Sequence, residues 1–203
     1  DPADWVGGAQ IVDYLDRSVD SAAIVDPVAA QDIDEAFSRA GEFIEADRWA
    51  EALEAAEEGL TREPDSALGL FLLGSAHMAL QHNSDALSAA RRAVEADPNN
   101  ERVRLLLGNT LLQAGYVHEA ADEAAATLGL DPGGVDTLVE CAWILGRAGR
   151  VDEAERAAAR ALELYPEEPW AWNAHANVLE SRAEWAAEEA DLRRAVELSP
   201  DEF

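Results

Sequence analysis

No lysine occurs anywhere in the 203-residue sequence: its 15 basic residues are all arginine, against 42 acidic ones. The formal net charge of −27 repels phosphate backbones and anionic headgroups, so nucleic acid and membrane surfaces are excluded as expected partners. A basic peptide segment would instead be steered in. The lack of lysine fits a GC-rich genome or a salt-adapted proteome, and in the second case the fold gains stability as salt rises. There is one cysteine, Cys141, which excludes an internal disulfide. No apolar run reaches membrane-spanning length, and residues 1–32 carry neither the basic nor the apolar segment of a secretory signal. The chain therefore reads as cytoplasmic. Only eight prolines are present, and the abundance of alanine, leucine and glutamate favours helix over strand.

Those few prolines are not scattered. Pro64, Pro98, Pro132, Pro166 and Pro200 are each 34 residues apart. A strict period in this range marks a repeat architecture. Other columns keep the same phase. Twenty-four residues before each proline stand Ala40, Gly74, Gly108, Ala142 and Ala176, all small. Twelve before stand Ala52, Ala86, Ala120, Ala154 and then Glu188; eight before, Ala56, Ala90, Ala124, Ala158 and Leu192. Five before stand Gly59, Ala93, Thr127, Ala161 and Ala195, and four before, Leu60, Val94, Leu128, Leu162 and Val196.

Small residues at a fixed phase let two helix axes approach closely. Within the third unit, Val103, Leu107 and Leu111 recur at helical spacing, which predicts a first helix over Arg102 to Ala114. Gly115 breaks it, and a second helix runs from about His118 to Gly129. Asp131-Pro132 forbids its continuation. Asn99 or Asn100 can cap the helix that follows Pro98, as Asp65 or Ser66 can one unit earlier. Each hairpin leaves an apolar face uncovered, so only stacking completes a core.

The pattern, with Leu73-Gly74, Leu107-Gly108, Glu51-Ala52, Glu119-Ala120 and Glu153-Ala154, resembles the tetratricopeptide repeat over roughly Ile33 to Pro200. The resemblance implies an all-α fold, a right-handed superhelical α-solenoid of antiparallel helix pairs. It divides the chain into an N-terminal extension, 1–32, and five units: 33–66, 67–100, 101–134, 135–168 and 169–203. Two departures stand out. Arg39 occupies a place usually large and apolar, and the last unit reads Ala187-Glu188 where the others carry Glu-Ala. End units are expected to be atypical, because one face meets solvent.

The resemblance also implies which residues face the inner, concave side. The expected partner-binding set is Phe71, Leu72 and Met78 in unit two, and Leu105, Leu106, Asn109 and Leu112 in unit three. Val139 and Trp143 follow in unit four, and Asn173 and Asn177 in unit five. Asp136, Glu140 and Arg147 fall at further inward places. An exposed apolar patch with aromatic and methionine anchors suits a peptide or amphipathic helix. Two other readings stay open. These residues complete the core, or residues 10–25 cover them, since Ile11, Leu15, Val19 and Ala22 form one apolar stripe. That segment otherwise caps the first unit.

Chemistry finds little purchase. None of His77, His82, His118 and His175 has an i, i+4 partner for a helical metal site. Cys141 falls at an inter-helix position, and no glycine-rich phosphate loop is present. The sequence therefore predicts a non-catalytic adaptor or scaffold that needs no cofactor or metal and takes a protein or peptide partner. The alternatives are a self-assembling homo-oligomer, or the docking part of a larger enzyme.

Overall fold

A computed structural model describes residues 27–199, with side chains from Glu35 onward. The expected helix over Gln10 to Val25 lies outside the described residues. Ten α-helices and no strand occur among those described. They are α1 (Pro27–Glu45), α2 (Trp49–Arg62), α3 (Ala67–Ala79), α4 (Asn83–Ala96), α5 (Glu101–Gln113), α6 (Val117–Leu128), α7 (Val135–Arg147), α8 (Val151–Leu164), α9 (Pro169–Ser181) and α10 (Trp185–Leu198). The third-unit helices, α5 and α6, match the sequence expectation to within a residue at each end. The first helix begins six residues before Ile33, at Pro27, where a proline fits the opening turn because its missing N–H has no helical acceptor there.

The chain divides into two compact units between Leu106 and Leu107. In the first, α1 packs on α2 and α3, α2 on α3, and α3 on α4. In the second, α6 packs on α7, α7 on α8 and α9, α8 on α9, and α9 on α10. Helices thus touch both their hairpin mates and elements of the neighbouring hairpin, which is how a face too apolar to stand alone becomes buried.

The turn inside every hairpin is the same Schellman closure. One residue takes a left-handed conformation: Asp47, Gln81, Gly115, Gly149 and Ala183, with φ of 56°, 59°, 86°, 75° and 59°. The N–H of the next residue then donates to the carbonyl five residues back, as from His82 to His77 at 2.9 Å, Tyr116 to Leu111 at 2.8 Å and Glu184 to Leu179 at 3.0 Å. This satisfies a carbonyl that the helix end would otherwise leave bare. Glycine adopts that φ without strain at Gly115 and Gly149; Asp47, Gln81 and Ala183 carry it at about 1 kcal/mol each. Between hairpins, Ser66 Oγ accepts from the N–H of Gly69 at 3.4 Å, and Asn100 Oδ1 from the N–H of Arg102 at 3.1 Å.

The core is mostly alanine. Ala52, Ala86, Ala120 and Ala154 are fully buried, as are Ala56, Ala90 and Ala158. At the same phases α10 carries the half-exposed Glu188 and the exposed Leu192, and its only buried side chain is Ala195. Trp185, Leu192 and Val196 lie open along it, so among the described residues the last helix lacks the cover its counterparts have.

Arginines tie hairpins together at the surface. Arg150 reaches Asp122 at 2.8 Å and Glu153 at 2.7 Å, Arg160 reaches Asp131 at 2.7 Å, and Arg182 reaches Asp152 at 2.9 Å and also Glu155. Such exposed pairs are individually worth at most about 1 kcal/mol. With 42 acidic groups and 15 arginines, repulsion is expected to outweigh them. Tm is therefore expected to climb as NaCl is raised from about 10 mM to about 1 M, as the Debye length shrinks from about 30 Å to about 3 Å. A Tm that stays level or falls over that range would show that the ion pairs, not the repulsion, dominate.

Candidate functional site

The residues expected to face inward lie on α3, α5, α7 and α9, and the structure treats the two compact units differently. In the first, Phe71, Leu72, Met78, Leu105 and Leu106 are all at most 8% exposed. Leu106 Cδ2 comes within 2.9 Å of where a Cβ on Gly74 would stand, so the missing side chain is what lets α5 close on α3. Ser75, also at an inward position, is buried and donates its hydroxyl to the Phe71 carbonyl at 2.8 Å. The open apolar patch expected over these residues is thus not open: the layer is packed. Helix α3 held the signal for this. It has no Asp, Glu, Lys or Arg in its 13 residues, and a helix apolar all round is a buried one.

The second unit presents a different surface. Val139 is buried, but Asn109, Leu112, Trp143 and Asn173 are half-exposed and Asn177 is exposed. Asn177 Nδ2 donates to the backbone carbonyl and the side-chain oxygen of Asn173, at 2.9 and 3.0 Å, so these amides hold each other. The guanidinium of Arg147 lies 5.3 Å from the Trp143 ring centroid, within cation–π reach.

Between them lies a group that the expected set omitted. Asn109 Nδ2, on α5, donates to Glu140 Oε1, on α7, at 3.1 Å. Glu140 is only 8% exposed, and its Oε2 is buried with no hydrogen-bond partner among the described residues. Burial pushes its carboxyl up to about 7, against the Asn109 hydrogen bond, which favours the charged form; the nearby Asp136 adds to the rise. The sequence placed Glu140 on the inner face but could not foretell its burial, because a glutamate on a helix is ordinarily solvated.

Three of the four histidines have side-chain partners, and His118 is exposed. His77 and His82 approach at 3.3 Å between their Nδ1 atoms, a contact across the left-handed turn at Gln81 that helical spacing alone does not reveal. Desolvation lowers the His77 pKa. His175 Nδ1 pairs with Asp191 Oδ2 at 2.6 Å, tying α9 to α10. Cys141 is buried. Among the described residues no three His, Cys, Asp or Glu side chains gather as a metal site, and no helix is long and apolar enough to cross a membrane. An open cleft of about 300 Å³ lies among α6, α7 and α8, lined by residues that include Leu128, Pro132, Leu138, Glu153 and Arg160. None of the expected partner-binding residues lines it.

Known proteins agree with this architecture. Family models described as tetratricopeptide repeat match residues 37–101, 71–135 and 135–178. No curated protein matches the sequence. Among solved structures, the chain is similar to TTC0263, a thermophilic tetratricopeptide protein of Thermus thermophilus. The TM-score is 0.70 at 18% identity, over 84% of this chain and 93% of that one. It is similar to MamA, residues 41 to the end, from Desulfovibrio magneticus RS-1, with a TM-score of 0.69 at 16% identity over 89% and 99% of the two chains. It is similar also to YrrB, described as having an unusual peptide-binding site, with a TM-score of 0.63 at 15% identity over 97% and 95%. At such identities the likeness is one of fold. From the 34-residue period, the repeated left-handed turns and the matched family models together, the chain is a member of the tetratricopeptide repeat family, an all-α protein of the α-solenoid class.

Proposed function

We propose that this chain is a protein-interaction module that grips a peptide or helical segment of another protein along the inner face of α5, α7 and α9. Tetratricopeptide arrays are protein-interaction scaffolds, and catalysis has no part in this reading. The observation that carries it is the half-exposed row in the second unit. Trp143 offers a flat apolar face, and Asn109, Asn173 and Asn177 offer amide groups within the same compact unit. An extended or helical segment needs both, a desolvating anchor and donors or acceptors for its polar groups. Val139, buried in the same unit, packs beneath the row, and Phe71, Leu72, Met78, Leu105 and Leu106 are packed within the first unit and take no part in the grip. The description of YrrB as a peptide-binding protein supports the reading by likeness of fold.

Peptides selected from a random display library on the full chain test it. Trp143→Ala is expected to weaken their binding at least tenfold, the typical cost of losing an aromatic anchor, with helix content and Tm held. If binding survives the substitution, this face is not the grip.

Self-assembly is the second reading, favoured by the uncovered Trp185, Leu192 and Val196 on α10. Light scattering over a concentration series, with Trp185→Ser beside the wild type, distinguishes it.

A further inference from the structure

The inner face of the second unit contains one carboxyl whose environment is incomplete. Glu140 is held from α5 by a single hydrogen bond from Asn109, while its second oxygen, buried and within the same pair, meets no donor among the described residues. A buried polar atom without a partner is rare, and each instance calls for an explanation. The site also lies close to the surface. Asn109 is half-exposed, Asp136 one turn back along α7 is exposed, and Trp143 nearly one turn forward is half-exposed.

We propose that the Asn109–Glu140 pair is the anchor point for a basic side chain, arginine or lysine, of the partner segment that binds this face. The inference rests on the binding role proposed above and names the chemistry of the occupant. A neutral donor would satisfy Oε2 but leave the charge desolvated, whereas a guanidinium or ammonium supplies both the hydrogen bond and the counter-charge. The surroundings favour a cation. Asp136 adds a second negative group one turn away. The chain's net charge of −27 steers basic segments toward it. No ion pair joins Glu140 to an arginine among the described residues.

The neighbouring elements leave the carboxyl to be answered from outside. Helix α5 contributes the neutral Asn109, α7 itself contributes Asp136, and no charged group of α6, α8 or α9 among the described residues acts on it. A carboxyl raised to about 7 by burial binds a cation by giving up its proton. Below that value, affinity is expected to fall up to tenfold per pH unit, and above it to level off.

The test uses the full chain and a library of random 12-residue displayed peptides. Wild type is expected to enrich peptides with arginine or lysine at one fixed position. Glu140→Gln, which keeps size and shape, is expected to lose that preference and to bind the selected peptides at least tenfold more weakly at pH 8. Replacing the peptide's basic residue by norleucine should cost the same and abolish the pH dependence between pH 6 and 8, without touching the protein. If neither wild type nor Arg17→Gln enriches any peptide, the binding role itself fails. If it enriches peptides with no fixed basic position, or if Glu140→Gln selects the same ones, binding stands and this assignment is overturned. If peptides emerge only after Arg17→Gln, a substitution of the one arginine within residues 10–25, that segment is the occupant; if Glu140→Gln alters the mass measured by light scattering, a second copy is. Either result overturns the proposal.

Discussion

Gly59→Ala is expected to destabilise the protein by about 2 kcal/mol, and Phe37→Leu in the same chain to abolish that penalty. A Cβ on Gly59 would lie 2.3 Å from Phe37 Cε1 and within 2.8 Å of two further ring atoms. The ring is buried against a second glycine as well: a Cβ on Gly69 would meet the same Cε1, and Cζ, at 2.6 Å. Phe37, on α1 and only 3% exposed, thus fills the space two glycines leave on α2 and α3. Forcing a methyl group into such a site costs roughly 3 kcal/mol at the upper end of overpacking, while alanine regains about 1 kcal/mol of helix propensity over glycine. With leucine at 37 the clash goes and only the propensity remains, so Gly59→Ala becomes neutral or slightly stabilising. Urea unfolding of the two single variants and the double variant measures the coupling. Strict additivity would mean that the ring and the glycine do not share the space.

The second large effect is one of pH. Glu140→Gln is expected to leave stability nearly unchanged at pH 4.5 and to raise it by roughly 3 kcal/mol at pH 8, relative to wild type. The sign follows from burial. The folded carboxyl sits at about 7, above its ordinary 4.5, so the folded state holds this proton more tightly than the unfolded state does. The stabilisation is complete below about 4.5, is lost as pH rises toward about 7, and is gone above it. Glutamine carries no charge to desolvate and can still accept from Asn109. Any fixed cost of its unpartnered amide shifts both ends equally. The other carboxylates are common to both chains and cancel in the difference. Thermal melts of the two proteins across this range measure it, and a gap that does not change with pH would mean that Glu140 is solvated.

Much of the architecture was legible because it is periodic. The proline spacing and the alanine columns locate the helices, and α5 and α6 fall where Val103, Leu107, Leu111 and Gly115 put them. The site was less legible. The family resemblance implies which residues of α3 and α5 face inward but not what lies against them. Phe71, Leu72, Met78, Leu105 and Leu106 read as an open anchor set, yet they are packed. Charge misleads in the opposite direction at Glu140, where an acidic side chain that reads as solvated is buried.

By itself the sequence determined the helix-pair repeat, its 34-residue period and the sign of the field around it, since each follows from spacing and composition along the chain. Only the tertiary structure decided three things. The left-handed turn recurs at Asp47, Gln81 and Ala183 as firmly as at the two glycines. The apolar inner residues of the first unit are covered. One carboxyl of the second is desolvated with half its hydrogen bonding unmet. Cover comes from neighbouring helices through contacts remote in sequence, and the left-handed closure from backbone hydrogen bonds that any residue can make, so no local pattern of side chains records either.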